Sequence, residues 1–126
     1  MAHFNHIALN VSDLEKSVRF YMELFDLKQI DEPFKQGKHI WLHIGDHCQL
    51  HLVHEKGMEK NTSSKWHYAY SVDNIENFIQ KLEKANISWG GINDPSKKIV
   101  FRPDGIKQVY FQDPDGYWIE VNNDGY

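Results

Sequence analysis

Four side chains of this 126-residue chain have the chemistry to hold a divalent cation: His6, His51, His67 and Glu120. Three imidazoles and one carboxylate form a hard-to-borderline donor set that suits Zn²⁺, Ni²⁺, Co²⁺, Mn²⁺ or Fe²⁺. Taken singly, a strand histidine is more often solvated or satisfied within the protein than a ligand, and a strand glutamate more often faces water. Spacing reverses that balance here. His67-Tyr-Ala-Tyr-Ser-Val72 followed by Asp73-Asn-Ile-Glu76 repeats His6-Ile-Ala-Leu-Asn-Val11 followed by Ser12-Asp-Leu-Glu15 at an offset of 61 residues. His6 and His67 hold the same repeat position, and His51 and Glu120 each fall midway along the last strand of their repeat. The small neighbours Ala8 and Ala69 would leave room for water or substrate.

The elements that must position these groups follow from periodicity and turn chemistry. Residues 108–121 read as two strands rich in β-branched and aromatic residues, joined at Asp113-Pro-Asp-Gly116, where proline fixes φ and glycine supplies positive φ. Alternation in 117–121 sets Ile119 and Val121 on one face, and Trp118, Glu120 and Asn122 on the other. A strand over 4–11 precedes Ser12-Asp-Leu-Glu15, an S-x-x-E capping box, and a helix with Leu14, Val18, Tyr21, Leu24 and Phe25 at helical spacing. Strands over 27–33, 38–44 and 48–53 complete a β-α-β-β-β unit. Asp73 with Glu76 caps a second helix whose apolar face is Ile75, Phe78, Ile79, Leu82 and Ala85. Strands over 67–72, 98–102, 107–112 and 117–121 complete the second unit.

The expected fold is therefore α+β: two tandem βαβββ modules forming a cupped mixed sheet, in one domain over 1–126. The modules span 4–54 and 66–122, joined by a polar linker over 55–65. Helices cover the sheet faces bearing Ile7, Leu9, Val11, Leu50, Leu52, Tyr68, Tyr70, Val72, Ile119 and Val121. The opposite faces carry the four candidate ligands and are expected to meet across a pseudo-two-fold. Cys48 falls with Leu50 on the core side, as a buried, inert thiol. It is the only cysteine, which excludes an internal disulfide and a thiolate cluster. His3, His47 and His54 read as surface residues, and His39 and His43 share a strand face with Trp41.

A net charge of −4 with interspersed signs recommends neither nucleic acid nor a membrane surface as a partner. The sequence has no apolar run of about 20 residues and opens without a signal peptide's regions, so a cytoplasmic location is expected.

Asn5-His6-Ile-Ala-Leu with Ser12-Asp-Leu-Glu-Lys-Ser-Val-Arg-Phe-Tyr21, Leu50-His51-Leu, His67-Tyr-Ala-Tyr-Ser-Val-Asp73 and Asp113-Pro-Asp-Gly-Tyr-Trp-Ile-Glu120 together resemble the vicinal oxygen chelate superfamily. That superfamily includes glyoxalase I, fosfomycin- and bleomycin-resistance proteins and extradiol dioxygenases. The resemblance spans essentially the whole chain. It implies paired modules, a homodimer, a divalent metal in the cup, and metal ligands at His6, His51, His67 and Glu120. Glyoxalase I commonly carries Glu or Gln where this chain has His51.

By that resemblance the expected activity is of the lactoylglutathione lyase type, on a small substrate presenting two neighbouring oxygens to the metal, with glutathione or another thiol as co-substrate. Glu120 is the expected catalytic base as well as a ligand. Trp41, Trp118 and Tyr110 are candidates for the pocket wall, Gln108 shares a strand face with Tyr110, and Arg102 or Lys107 is placed to anchor an anionic tail. Three alternatives stand beside this reading: thiol transfer to an epoxide of the fosfomycin type, dioxygenase chemistry on a 2-His-1-carboxylate triad, and metal-free binding of the bleomycin-resistance type. Against the fosfomycin branch, Ala8 stands where a threonine is typical. Against the dioxygenase, the set has a fourth ligand.

Overall fold

The computed structural model describes residues 1–60 and 63–125, which form two compact units, Met1–Glu59 and Lys60–Tyr126. Two positions of the expected linker, 61 and 62, lie outside the described residues.

In the first unit the chain runs β1 (His6–Val11), α1 (Leu14–Phe25), β2 (Lys28–Ile30), β3 (His39–Gly45) and β4 (Cys48–His54). The strands form one mixed sheet in the order β1-β4-β3-β2, with β1 parallel to β4 and the other pairs antiparallel. Helix α1 buries Ser17, Tyr21 and Leu24, an i, i+4, i+7 stripe, while the sheet buries Leu9, Val11, Leu42, Leu50 and Leu52. Each such aliphatic side chain contributes about 1.5–3 kcal/mol on burial. Ile7, expected in this core, is only half-buried at the end of β1, and so is Cys48.

The second unit repeats the order with β5 (Tyr68–Ser71), α2 (Ile75–Lys84), β6 (Val100–Phe101), β7 (Lys107–Gln112) and β8 (Trp118–Asn122). Its sheet order is β5-β8-β7-β6, again with one parallel pair, β5 with β8. Ile75, Phe78 and Leu82 of α2 are buried, as are Tyr70, Val109, Phe111, Ile119 and Val121 of the sheet. Tyr68 and Val72 are half-buried.

Both helix caps differ from the sequence expectation by one residue. Asp13, not Ser12, takes the extended cap conformation and accepts from the Lys16 amide at 3.1 Å. Asn74, not Asp73, accepts from the Asn77 amide at 2.8 Å. In each pair the neighbouring residue offers an equally competent oxygen, and the helix begins one residue later, so the glutamates fall at the second helical position and close no reciprocal box. Strand β6 is also shorter than the expected 98–102. It is an edge strand with Phe101 64% exposed, followed at once by the turn in which the Arg102 amide bonds the Ile106 carbonyl.

Candidate metal centre

In the second unit the hairpin between β7 and β8 sets the geometry. Asp113, 6% exposed, accepts through Oδ1 from the amides of Asp115 and Tyr117, while the Gly116 amide bonds the Asp113 carbonyl. Gly116 sits at φ +91°, a conformation costly for side chains with a Cβ. This turn fixes the register Gln108↔Asn122, Tyr110↔Glu120 and Gln112↔Trp118. Gln108, Tyr110 and Asn122 thereby surround one carboxylate.

Glu120 is 6% exposed, and four donors reach it. Tyr110 Oη donates to Oε1 at 2.9 Å and His67 Nε2 lies 3.2 Å from the same oxygen. Gln108 Nε2 and Asn122 Nδ2 donate to Oε2 at 3.0 and 2.6 Å. Burial alone would push this carboxyl up, but the bonds from Asn122, Gln108 and Tyr110 outweigh it, helped by the His67 charge, and hold it below its ordinary value. It is an anion at neutral pH. The phenol of Tyr110 is pushed up to about 12 by burial and by the same carboxylate, so it remains a donor. His67 packs edge-on against Tyr110 with ring centroids 5.5 Å apart.

The His67 and Glu120 pair has the spacing of two ligands on one ion. Donors each about 2.0–2.2 Å from a cation, at angles from square to tetrahedral, stand about 3.0–3.4 Å apart. The observed 3.2 Å falls in that range. A cation would replace the proton that the imidazole shares with Oε1, while the two amides kept Oε2 in place.

Tyr110 also lines an open cavity of about 360 Å³ in this unit, together with Trp89, Trp118, Asn93, Gln112 and the backbone near Gly91. None of its lining residues is charged. The loop over 89–97 that walls it is pinned by Trp89 Nε1 and Lys97 Nζ, which both donate to Glu83 at 2.9 and 3.1 Å. Arg102 is held by Asp104 and Asp124, and Lys107 by Glu76. An anionic substrate tail would have to displace those carboxylates.

In the first unit the register Trp41↔His51 and Ala8↔His51 builds a stack of rings on the face that α1 leaves open. Trp41 and His51 lie 3.9 Å apart and 3° from parallel, and His51 and His6 4.3 Å apart and 15° from parallel. His51 Nε2 is 2.8 Å from Gln49 Oε1, and His6 Nδ1 is 2.5 Å from Asn5 Oδ1. Burial, and then the neighbouring His6 and His39, push the His51 imidazolium down and keep the ring neutral. Phe34 packs on His39 and edge-on to Trp41.

The candidates therefore fall in two sets: His67 and Glu120 with Gln108 and Tyr110, and His6 and His51 with Trp41. Among the described residues, no three His, Cys, Asp or Glu side chains form a group that could hold an ion. Asn122, Asn5 and Gln49 went unnoticed in the sequence as partners of these groups. Alternation sets Asn122 on the face of Glu120, two residues beyond it, but does not mark it as a hydrogen-bond partner.

No helix among the described residues is long and apolar enough to cross a membrane. The chain is 34% identical to the metallothiol transferase FosB of Staphylococcus epidermidis, over 94% of this chain and 79% of that protein. It is 31% identical to the lactoylglutathione lyase of Schizosaccharomyces pombe over 93% of this chain, and spans about half, 46%, of that enzyme's length. The solved fosfomycin resistance protein FosX of Listeria monocytogenes has the same fold, with a TM-score of 0.75 at 17% identity, over 97% of this chain and 93% of that one. Residues 3–121 match one family throughout, and the chain belongs to the Glyoxalase/Bleomycin resistance protein/Dioxygenase superfamily.

Proposed function

We propose that this chain is a divalent-metal-dependent enzyme of the glyoxalase type, acting on the thiohemiacetal of an α-oxoaldehyde with glutathione or a similar thiol. The observation that carries the reading is the His67 and Glu120 pair: a buried, ionised carboxylate at ligand spacing from an imidazole. His67 and Glu120 are the proposed ligands in the second unit, and His6 is a proposed ligand in the first. His51, the fourth candidate, is taken up below. When bound, the metal supplies Lewis acidity at two neighbouring substrate oxygens.

Glu120 would remove the proton from the carbon that bears the sulfur and return it to the adjacent carbonyl carbon, giving a hydroxyacyl thioester. Tyr110, Gln108 and Asn122 orient the carboxylate for that transfer. Trp118 and Tyr110 receive the substrate's side group in the uncharged cavity, Trp41 offers an aromatic wall in the first unit, and Arg102 takes an anionic tail by exchange with Asp104 and Asp124. The reading includes a homodimer in the cytoplasm.

Thiol transfer to an epoxide is the second reading. It is favoured by the share of the FosB transferase that the chain spans, 79% against 46% of the lyase. The test is metal content of the purified protein, with Zn²⁺, Ni²⁺, Co²⁺ or Mn²⁺ restored to apo protein and turnover assayed on methylglyoxal with glutathione, and on fosfomycin with a thiol. Turnover of the first pair supports the lyase, and turnover of the second alone moves the assignment to the transferase. A parent chain that binds no metal under any loading sinks both, leaving metal-free binding. His67→Ala and Glu120→Ala are expected to remain folded and to lose stoichiometric metal.

A further inference from the structure

We propose that His51 is not a metal ligand but the middle ring of a stack that positions His6 for the metal. The inference rests on the metal-dependent reading above and assigns His51 and Trp41 as positioning residues.

Ring planes carry the argument. An imidazole coordinates through a lone pair that lies in its own plane, so two imidazoles can share an ion only where their planes intersect near both rings. Planes 15° apart with centroids separated by 4.3 Å intersect more than about 10 Å away, against a metal–nitrogen bond of about 2.0 Å. His6 and His51 as arranged cannot both bind one cation. Trp41, only 3° from parallel, covers the other face of His51 and favours the stacked rotamer.

Hydrogen bonds set which nitrogen of each ring keeps its lone pair: Nδ1, beside the strand, on His51, and Nε2, at the far end of the ring, on His6. The Gln49 side-chain oxygen accepts from Nε2–H of His51 at 2.8 Å, which occupies the outer nitrogen of that ring with a proton. The Asn5 side-chain oxygen accepts from Nδ1–H of His6 at 2.5 Å, which leaves Nε2 with its lone pair. A ligating histidine characteristically donates its other ring N–H to such an oxygen, which fixes both tautomer and orientation. Both rings have that arrangement, but His51 is enclosed between Trp41 and His6, whereas His6 is the exposed outer ring of the stack, with one face braced by His51. Strand register supplies the brace: His51 lies directly opposite Trp41 and diagonal to His6, across from Ala8, whose methyl group leaves the ring room to lie flat.

The test compares His51→Phe, which keeps a flat ring and removes both nitrogens, with His51→Ala, which removes the stack, and with His6→Ala. Co²⁺ is titrated into each full-length apo protein and followed by its visible absorption. His51→Phe is expected to bind one Co²⁺ per chain within a few-fold of the parent affinity and with an unchanged spectrum. His51→Ala should weaken binding about tenfold through the loosened His6, and His6→Ala should lose more than either. Loss in His51→Phe as complete as in His6→Ala, or a spectrum showing one nitrogen donor fewer, would overturn the proposal.

Nitrogen NMR of the metal-free parent gives an independent reading. Nε2–H on His51, Nδ1–H on His6 and upfield-shifted His6 ring protons that relax in His51→Ala support the stack, and the opposite tautomers overturn it. A parent chain that takes no Co²⁺ would count against the metal-dependent reading, while the NMR result would still decide the stack.

Discussion

Tyr110 and Glu120 stand directly opposite each other on β7 and β8, with the phenol donating to Oε1 at 2.9 Å. The bond makes the two groups dependent on each other's charge state: the phenol joins Asn122 and Gln108 in holding the carboxylate ionised, and the carboxylate joins burial in making the phenol resist ionisation. Burial adds to the second effect and opposes the first. A near-ultraviolet pH titration of the parent against Tyr110→Phe should isolate one tyrosine titrating at about 12. The folded value lies above the unfolded value of about 10, so the stability that this phenol contributes is fully present below about pH 10. It is lost as pH rises between about 10 and 12. A parent-minus-variant step at the ordinary tyrosine value would contradict the hydrogen bond.

The clamp on the other carboxylate oxygen should matter in acid. Asn122→Leu removes the shortest of the four contacts, 2.6 Å to Oε2, and leaves Gln108 alone on that side. Carbon NMR of the Glu120 carboxyl in metal-free protein is expected to show its titration moving up relative to the parent. In the parent the folded value lies below the unfolded one, about 4.3. The associated stability is therefore present above that pH and disappears as pH falls through the folded value. Loss of a hydrogen bond to a charged group should lower stability at pH 7 by about 1.5–3 kcal/mol, measured by denaturant unfolding. An unmoved carboxyl titration in Asn122→Leu would show that Gln108 and Tyr110 suffice.

Much of this arrangement is legible in the sequence because strand alternation and internal repetition are local. The 61-residue offset pairs His6 with His67, and alternation sets Glu120 apart from Ile119 and Val121, as its bonds to Gln108 and Tyr110 across the hairpin bear out. Cross-strand partners are less accessible. Counting back from the two-residue turn at Asp46 and His47, which pairs Gly45 with Cys48, would set Leu42 opposite His51. An irregularity between His43 and Gly45 shifts the register by one and brings Trp41 there instead. Nothing in the residue pattern announces that shift, so the stack that governs His51 is invisible without coordinates. The caps fail for a smaller reason: Ser12 and Asp13, or Asp73 and Asn74, compete for one position, and the sequence ranks neither far above the other.

The wall of the cavity offers a test in which side-chain chemistry plays no part. Gly90 pairs with Tyr110 through two backbone bonds, its amide to the Tyr110 carbonyl at 3.0 Å and the Tyr110 amide to its own carbonyl at 2.7 Å, so the loop over 89–97 is sewn to the strand that orients Glu120. A Cβ on Gly90 would sit 2.2 Å from the Asp94 carbonyl oxygen and 3.0 Å from the Ser96 amide nitrogen. Both are backbone atoms, held further by the reciprocal bonds between Gly91 and Asp94, so neither can swing aside as a flexible side chain would. Relief requires the loop to move. Gly90→Ala is expected to cost about 1–3 kcal/mol of stability by thermal or denaturant unfolding, and to change the environment of Trp89 and Trp118, which line the same cavity. Gly91→Ala is the internal control, since a Cβ there would meet the Val100 side chain at an ordinary 3.5 Å and the Asp94 side chain at 3.7 Å. Equal stability losses in the two variants would mean that the approach of Asp94 does not set the cost. A loss confined to Gly90→Ala, with altered tryptophan fluorescence, would tie the shape of the cavity to that single close approach.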